Sequence, residues 1–262
     1  MEKTLLVTGA CINTGAAIVK RFAEEGWNVL FTGRKMDSVE TAEQEYKKQF
    51  PNSLIKGFVL NSLTEDDEVD EEGVKALFAK VEKMGLKVTC LVLNAADLGV
   101  GLKVFETPLK DFAKVIKTNM LWNYCLVENA ARVMKEIGGG SIVFVNSNTA
   151  YRAIPERIAY SASKSGQLGM MRALALDLGK YNIRINAVLP GMIRTDRWEK
   201  NPEAYESAPS RFTPLGDVAT GDDIADGVYY FAQGARNTTG AELVIDGGNT
   251  VQLYPIIPKD KA

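Results

Sequence analysis

Histidine is absent from all 262 residues. That excludes a Ser-His-Asp triad and any His-ligated metal site, and no metal is expected. Any catalyst here must move protons with Tyr, Lys, a carboxylate or water. Cysteine is scarce. Cys11, Cys90 and Cys125 form an odd set with no C-x-x-C spacing, so a disulfide framework is not expected and a reducing, cytoplasmic setting fits. Net charge is close to zero, with 31 Lys and Arg against 33 Asp and Glu. With no basic run either, nucleic acid and membrane surfaces are poor partners. No apolar stretch is long enough to span a bilayer, and the chain opens directly into a strand-like run without a signal or transit pattern.

What the chain does have is alternation. Short apolar runs at Lys3–Thr8, Asn28–Thr32, Leu54–Leu60, Val88–Leu93, Ser141–Asn146, Arg184–Leu189 and Glu242–Ile245 read as strands. Helix-period segments separate most of them, including Glu71–Met84 and a long stretch from Pro108 to Ile137. Strand, glycine loop, helix, strand is the opening of a nucleotide-binding βαβ unit. No linker or repeat interrupts the rhythm. The expectation is a single α/β domain over residues 1–262, a doubly wound Rossmann fold with a mostly parallel seven-stranded sheet flanked by helices. Residues 192–220 break the pattern with Pro202, Pro209, Pro214 and the aromatics Trp198, Tyr205 and Phe212. Placed just past a strand's C-terminal end, this stretch reads as a substrate-binding loop. An apolar tail follows over residues 249–262.

Two stretches carry chemistry. In Thr8-Gly9-Ala10-Cys11-Ile12-Asn13-Thr14-Gly15 the glycines let backbone approach a pyrophosphate at the start of the next helix. The second strand ends in Gly33-Arg34-Lys35, with none of the acid that an NAD site usually sets there. Gly33 leaves room and Arg34 offers a planar cationic fork suited to a 2′-phosphate, so NADP(H) is expected over NAD(H). A solvated helix start is the plainer alternative for Arg34 and Lys35. In the other stretch, Ser147 ends a strand thirteen positions before Tyr160, and Tyr160 and Lys164 share a helix face at i, i+4. A hydroxyl, a phenol and an ammonium can then meet at the mouth of a sheet.

With these motifs in order, nearly the whole chain resembles the short-chain dehydrogenase/reductase family, in particular its 3-oxoacyl-reductase and hydroxysteroid-dehydrogenase members. The resemblance implies Asn119, Ser147, Tyr160 and Lys164 as catalytic residues. Tyr160 would be the general acid, Ser147 would orient the substrate oxygen, and Lys164 would hold the nicotinamide ribose and favour the phenolate. Asn119 would kink its helix and hold a water linking the lysine to solvent. Gly9, Asn13, Thr14 and Gly15 stand in the phosphate loop, where Asn13 replaces a family glycine and is expected to take the left-handed backbone. Asn94-Ala95-Ala96 resembles the family's Asn-Asn-Ala-Gly. Asn61, or Ser62 with a one-residue slip, would face the adenine. Pro190, Gly191, Ile193 and Thr195 would lie beside the nicotinamide. The implied substrate is a moderately apolar ketone or secondary alcohol, and the implied assembly is a homo-oligomer, a tetramer or dimer. A catalytically idle NADP-binding sensor or scaffold is the alternative.

Overall fold

A computed structural model describes residues 2–195, 200–201 and 212–254. Seven parallel strands form one sheet: β1 (Thr4–Val7), β2 (Asn28–Gly33), β3 (Ile55–Val59), β4 (Cys90–Leu93), β5 (Gly140–Val145), β6 (Ile183–Pro190) and β7 (Glu242–Ile245), in the order β3-β2-β1-β4-β5-β6-β7. The seven-stranded, doubly wound sheet is as expected, and all of its pairings are parallel. The reason is that a helical crossover joins nearly every strand to the next.

Both sheet faces are covered, which is why the central strands read as unbroken apolar runs. Side chains alternate across the sheet: Leu5 and Val7 pack on one face and Leu6 on the other. The first face meets α1 (Asn13–Glu24) through Ile18, Val19 and Phe22, α2 (Met36–Gln49) through Val39, Ala42 and Tyr46, and a helix near the end of the chain. The second face meets α3 (Glu71–Lys83), which Asp70 caps by accepting from the Gly73 N–H, and then α5 (Trp122–Glu136) and α6 (Ile158–Gly179). The long stretch expected from Pro108 is α4 (Leu109–Ile116) joined to α5 by a π turn, Lys117–Leu121.

Among the described residues between β6 and β7 stands α7 (Gly221–Tyr229), continued by a π turn at Tyr230–Gly234. Thr220 and Asp223 form a capping box at its start. Four of its nine residues are buried, including Ile224 and Val228, so its apolar stripe was legible in principle. Trp198, Tyr205, Pro202 and Pro209 of the expected substrate loop lie outside the described residues, as does the tail beyond Tyr254. Among the described residues, no helix is long and apolar enough to cross a membrane.

Strand order reverses at β1, which pairs with β2 on one side and β4 on the other. Successive crossovers run outward to β3 and then return to β4. The loops leaving the C-terminal ends of β1 and β4 therefore diverge, and a crevice opens between them. The loop before α1 and the Asn94 loop flank that crevice.

Candidate active site

At the β1 end, Gly9 takes φ +65 and Asn13 φ 53. Asn13 thus adopts the left-handed backbone its side chain tolerates. A Cβ on Gly15 would stand 2.5 Å from the Gly9 carbonyl oxygen and 2.6 Å from the Ala10 Cα, so only glycine lets α1 start this close to the loop. Ile12 precedes α1 without a side-chain cap, and the first turn carries no acid. The helix start offers backbone N–H groups and its positive dipole end, which suits a phosphate.

Asn94 braces this loop. Its Nδ2 donates to the carbonyls of Thr8 at 3.0 Å and Gly9 at 2.9 Å, while the N–H groups of Asn94 and Ala95 both donate to Thr8 Oγ1 at 3.0 Å. Its amide is spent on the chain's own carbonyls, so its part is to shape the loop. Gly33 also departs from expectation. A Cβ there would meet Cys11 Sγ at 2.4 Å and Val39 at 2.7 Å, so the glycine makes room for the chain's own packing. Arg34 is exposed and forms no ion pair among the described residues, which leaves its guanidinium available to an anion. Asn61 is exposed, whereas Ser62 is half-buried with its hydroxyl 3.1 Å from that of Thr118; Asn61 is the freer of the two.

At the other end of the crevice, Pro190 closes β6 and the Gly191 N–H donates to the Ile245 carbonyl at 3.0 Å. A Cβ on Gly191 would stand 2.6 Å from that of Asp246, so the glycine lets the two strand ends close up. Ile193 bridges to Ala219, and Thr195 beyond it is half-buried.

Ser147 follows β5 and leads into a short 3-10 turn, Asn148–Ala150. Its Oγ accepts the Thr149 N–H at 3.2 Å, a bond that does not use the hydroxyl's own proton. Asn148 leans towards the end of β7, its Nδ2 3.4 Å from Asp246 Oδ2. One helical turn separates Tyr160 from Lys164 on α6, and the Lys164 Nζ lies 5.6 Å from the centre of the Tyr160 ring. The Ser147 and Thr149 hydroxyls stand beside the phenol and, with Arg157, favour its ionised form. Burial outweighs them and holds the phenol above its ordinary range. Lys164 is fully buried, and desolvation lowers it to about 7. Its Nζ donates to the Val145 carbonyl at 2.9 Å.

Asn119 sits in the π turn and is fully buried. Its Nδ2 donates to the Asp97 carbonyl and to Ser163 Oγ, both at 2.9 Å, and its Oδ1 accepts the Asp97 N–H at 2.8 Å. Its backbone carbonyl accepts Gln167 Nε2 at 2.6 Å and Asn123 Nδ2 at 2.8 Å. Two side-chain amides, from α5 and α6, therefore converge on this one carbonyl. Gln167 in turn accepts from Asn146 Nδ2 at 2.9 Å, and Asn146 also donates to the Lys164 carbonyl at 3.0 Å. A buried chain of amides thus ties β5, α6 and the π turn together around the lysine. Sequence reasoning missed Asn146, Thr149 and Gln167. The available signal was polar side chains at positions where the strand and helix patterns call for apolar ones.

The arrangement holds a proton donor, a hydroxyl donor and a buried amine at the mouth of a crevice whose other end suits a dinucleotide. The family model described as enoyl-(acyl carrier protein) reductase matches residues 9–250. A 3alpha-hydroxysteroid dehydrogenase of Mediterraneibacter gnavus is 33% identical over 247 residues, 94% of this chain and 96% of that protein. An NADP-dependent (R)-specific alcohol dehydrogenase of Lentilactobacillus kefiri is 33% identical over 255 residues, 95% of this chain and 97% of that one. Among solved structures, a 7 alpha-hydroxysteroid dehydrogenase complexed with NADH and 7-oxo glycochenodeoxycholic acid superposes with a TM-score of 0.84 at 27% identity, covering 96% of each chain.

Proposed function

Because this chain belongs to the short-chain dehydrogenase/reductase family and is an oxidoreductase acting on a CH–OH or C=O group, we propose that it interconverts a moderately apolar ketone and its secondary alcohol using NADP(H). A hydroxysteroid or a 3-oxoacyl compound is the class of substrate in view, in line with the names of its relatives. The observation that carries this reading is the meeting of Ser147, Tyr160 and a fully buried Lys164 at one strand end.

When bound, the nicotinamide supplies or takes up the hydride. Gly9, Asn13, Thr14, Gly15 and the start of α1 would hold its pyrophosphate. Arg34 would pair with the 2′-phosphate, Asn61 would face the adenine, and Pro190, Gly191, Ile193 and Thr195 would flank the carboxamide. In reduction Tyr160 donates its proton to the carbonyl oxygen as charge develops there, and Ser147 donates a hydrogen bond to the same oxygen. In oxidation the Tyr160 phenolate takes that proton back, favoured by the nearby Lys164 when charged. Lys164 would also bind the ribose hydroxyls. Asn119 acts as a positioning residue, since its polar groups already brace the Asp97 loop and α6.

Titration with NADPH and NADH, followed by nicotinamide fluorescence, tests the cofactor assignment. NADPH should bind at least about tenfold tighter, or about 1.4 kcal/mol; tighter NADH binding would overturn the role given to Arg34. A carbonyl panel run beside the Tyr160→Phe variant tests the chemistry. The variant should lose turnover while keeping NADPH affinity. Undiminished turnover would sink the mechanism, and a parent that binds NADPH but reduces nothing would favour an idle sensor.

A further inference from the structure

Thr149 is 4% exposed, and its Oγ1 is buried without a well-formed hydrogen bond among the described residues. Such a hydroxyl is costly unless some state of the protein gives it a partner. The turn that carries it is held from three sides. Its own N–H donates to Ser147 Oγ at 3.2 Å, Ser165 Oγ donates to the Ala150 carbonyl at 2.8 Å, and Asn148 leans on Asp246. Ser165 docks the turn on α6, the helix that carries Tyr160, and the Thr149 hydroxyl is one of the groups that favour the ionised phenol. We propose that Thr149 is a further catalytic residue, whose hydroxyl donates to the Tyr160 oxygen when that oxygen carries negative charge. Its role in turnover rests on the assignment of Tyr160 as the acid and base. Its effect on the phenol does not, and can be measured without any substrate.

The charged groups shown next to the phenol are Lys164 on α6 and Arg157 at the residue just before that helix. Both remain when Thr149 alone is changed. Removing the hydroxyl withdraws a donor from the phenolate and leaves the neutral phenol little affected, so ionisation moves to higher pH. Reduction near neutrality, which uses the phenol, should change little, whereas oxidation, which uses the phenolate, should need higher pH.

The direct experiment is an ultraviolet titration of the Tyr160 phenolate, taken as the difference between each protein and the same protein carrying Tyr160→Phe; the other eight tyrosines cancel. Thr149→Val keeps the shape and removes the hydroxyl. Its midpoint should rise by roughly half to one pH unit, about three- to tenfold in proton affinity, and Thr149→Ser should titrate like the parent. If Thr149→Val does not fold, Thr149→Ala removes the same hydroxyl without a branched side chain to place and is read the same way. Superimposed titrations of parent and hydroxyl-free variant would overturn the proposal, as would a Thr149→Ser midpoint that moves with Thr149→Val. A shifted midpoint in a protein with no turnover would leave the Thr149 assignment standing and bring down the oxidoreductase mechanism alone.

Discussion

Lys164 is a buried amine whose environment works against its charge. Desolvation lowers it from an ordinary value of 10.5 to about 7. In the unfolded chain water restores the ordinary value, so between about 7 and 10.5 the unfolded chain binds more protons than the folded one. Stability should therefore rise with pH across that window, as the cost of burying the charged amine is relieved, and below about 7 that cost is present in full. Lys164→Met should stabilise the unliganded protein by a few kcal/mol at or below neutrality. The gain should shrink as pH climbs towards 10, and turnover should be lost. Denaturant unfolding at several pH values checks this; a gain independent of pH would mean that the amine is not buried as charge. At this scale Ser147, Tyr160 and Lys164 were legible in the chain because their spacing is local: a strand end and one helical turn dictate it. Asn146, Gln167 and Thr149 were not. Their partners, Lys164, Asn119 and Tyr160, lie on other elements or some distance along the chain, and only folding brings them together.

At the scale of the element, the loop between β1 and α1 works as one packed unit. Gly15 is needed because backbone atoms fill the space where a side chain would begin. Gly15→Ala should cost about 1–3 kcal/mol and weaken NADPH binding, since neither the Gly9 carbonyl nor the Ala10 Cα can yield as a flexible side chain would. Paired unfolding and NADPH titrations check it, and an alanine variant with unchanged stability and affinity would contradict the close approach of α1. The residue pattern identified this loop because glycine spacing is itself the constraint. It did not identify what Gly33 does. That glycine stands as an open position in the sequence, but Cys11 and Val39 reach it from elsewhere in the fold and take up the space. The π turn was hidden for a related reason. Apolar periodicity runs from α4 into α5, and the extra residue that swings the Asn119 carbonyl towards Gln167 shows only in backbone coordinates.

At the scale of the whole molecule, the sheet order sets the crevice, and the outer helices leave a surface. A groove of about 250 Å³ lies between α5 and α6, lined by Tyr124, Val127, Ala131, Leu174, Leu178 and Tyr181 among others. This groove is where a test of the expected homo-oligomer begins. Leu174→Arg should reduce the sedimenting species to a single chain without abolishing NADPH binding; an unchanged mass would place the contact elsewhere. The amino-acid sequence alone was enough for the wholly covered sheet, the nucleotide-binding opening and the Ser147, Tyr160 and Lys164 set. Each of these is written in short-range periodicity or spacing, which local sterics and burial enforce. The tertiary structure alone decided that Asn94 is spent on the loop, that two amides converge on the Asn119 carbonyl, and that Thr149 faces the phenol. Those facts depend on which side chains from separate elements meet, and hydrogen-bond geometry is satisfied or left open only once they do.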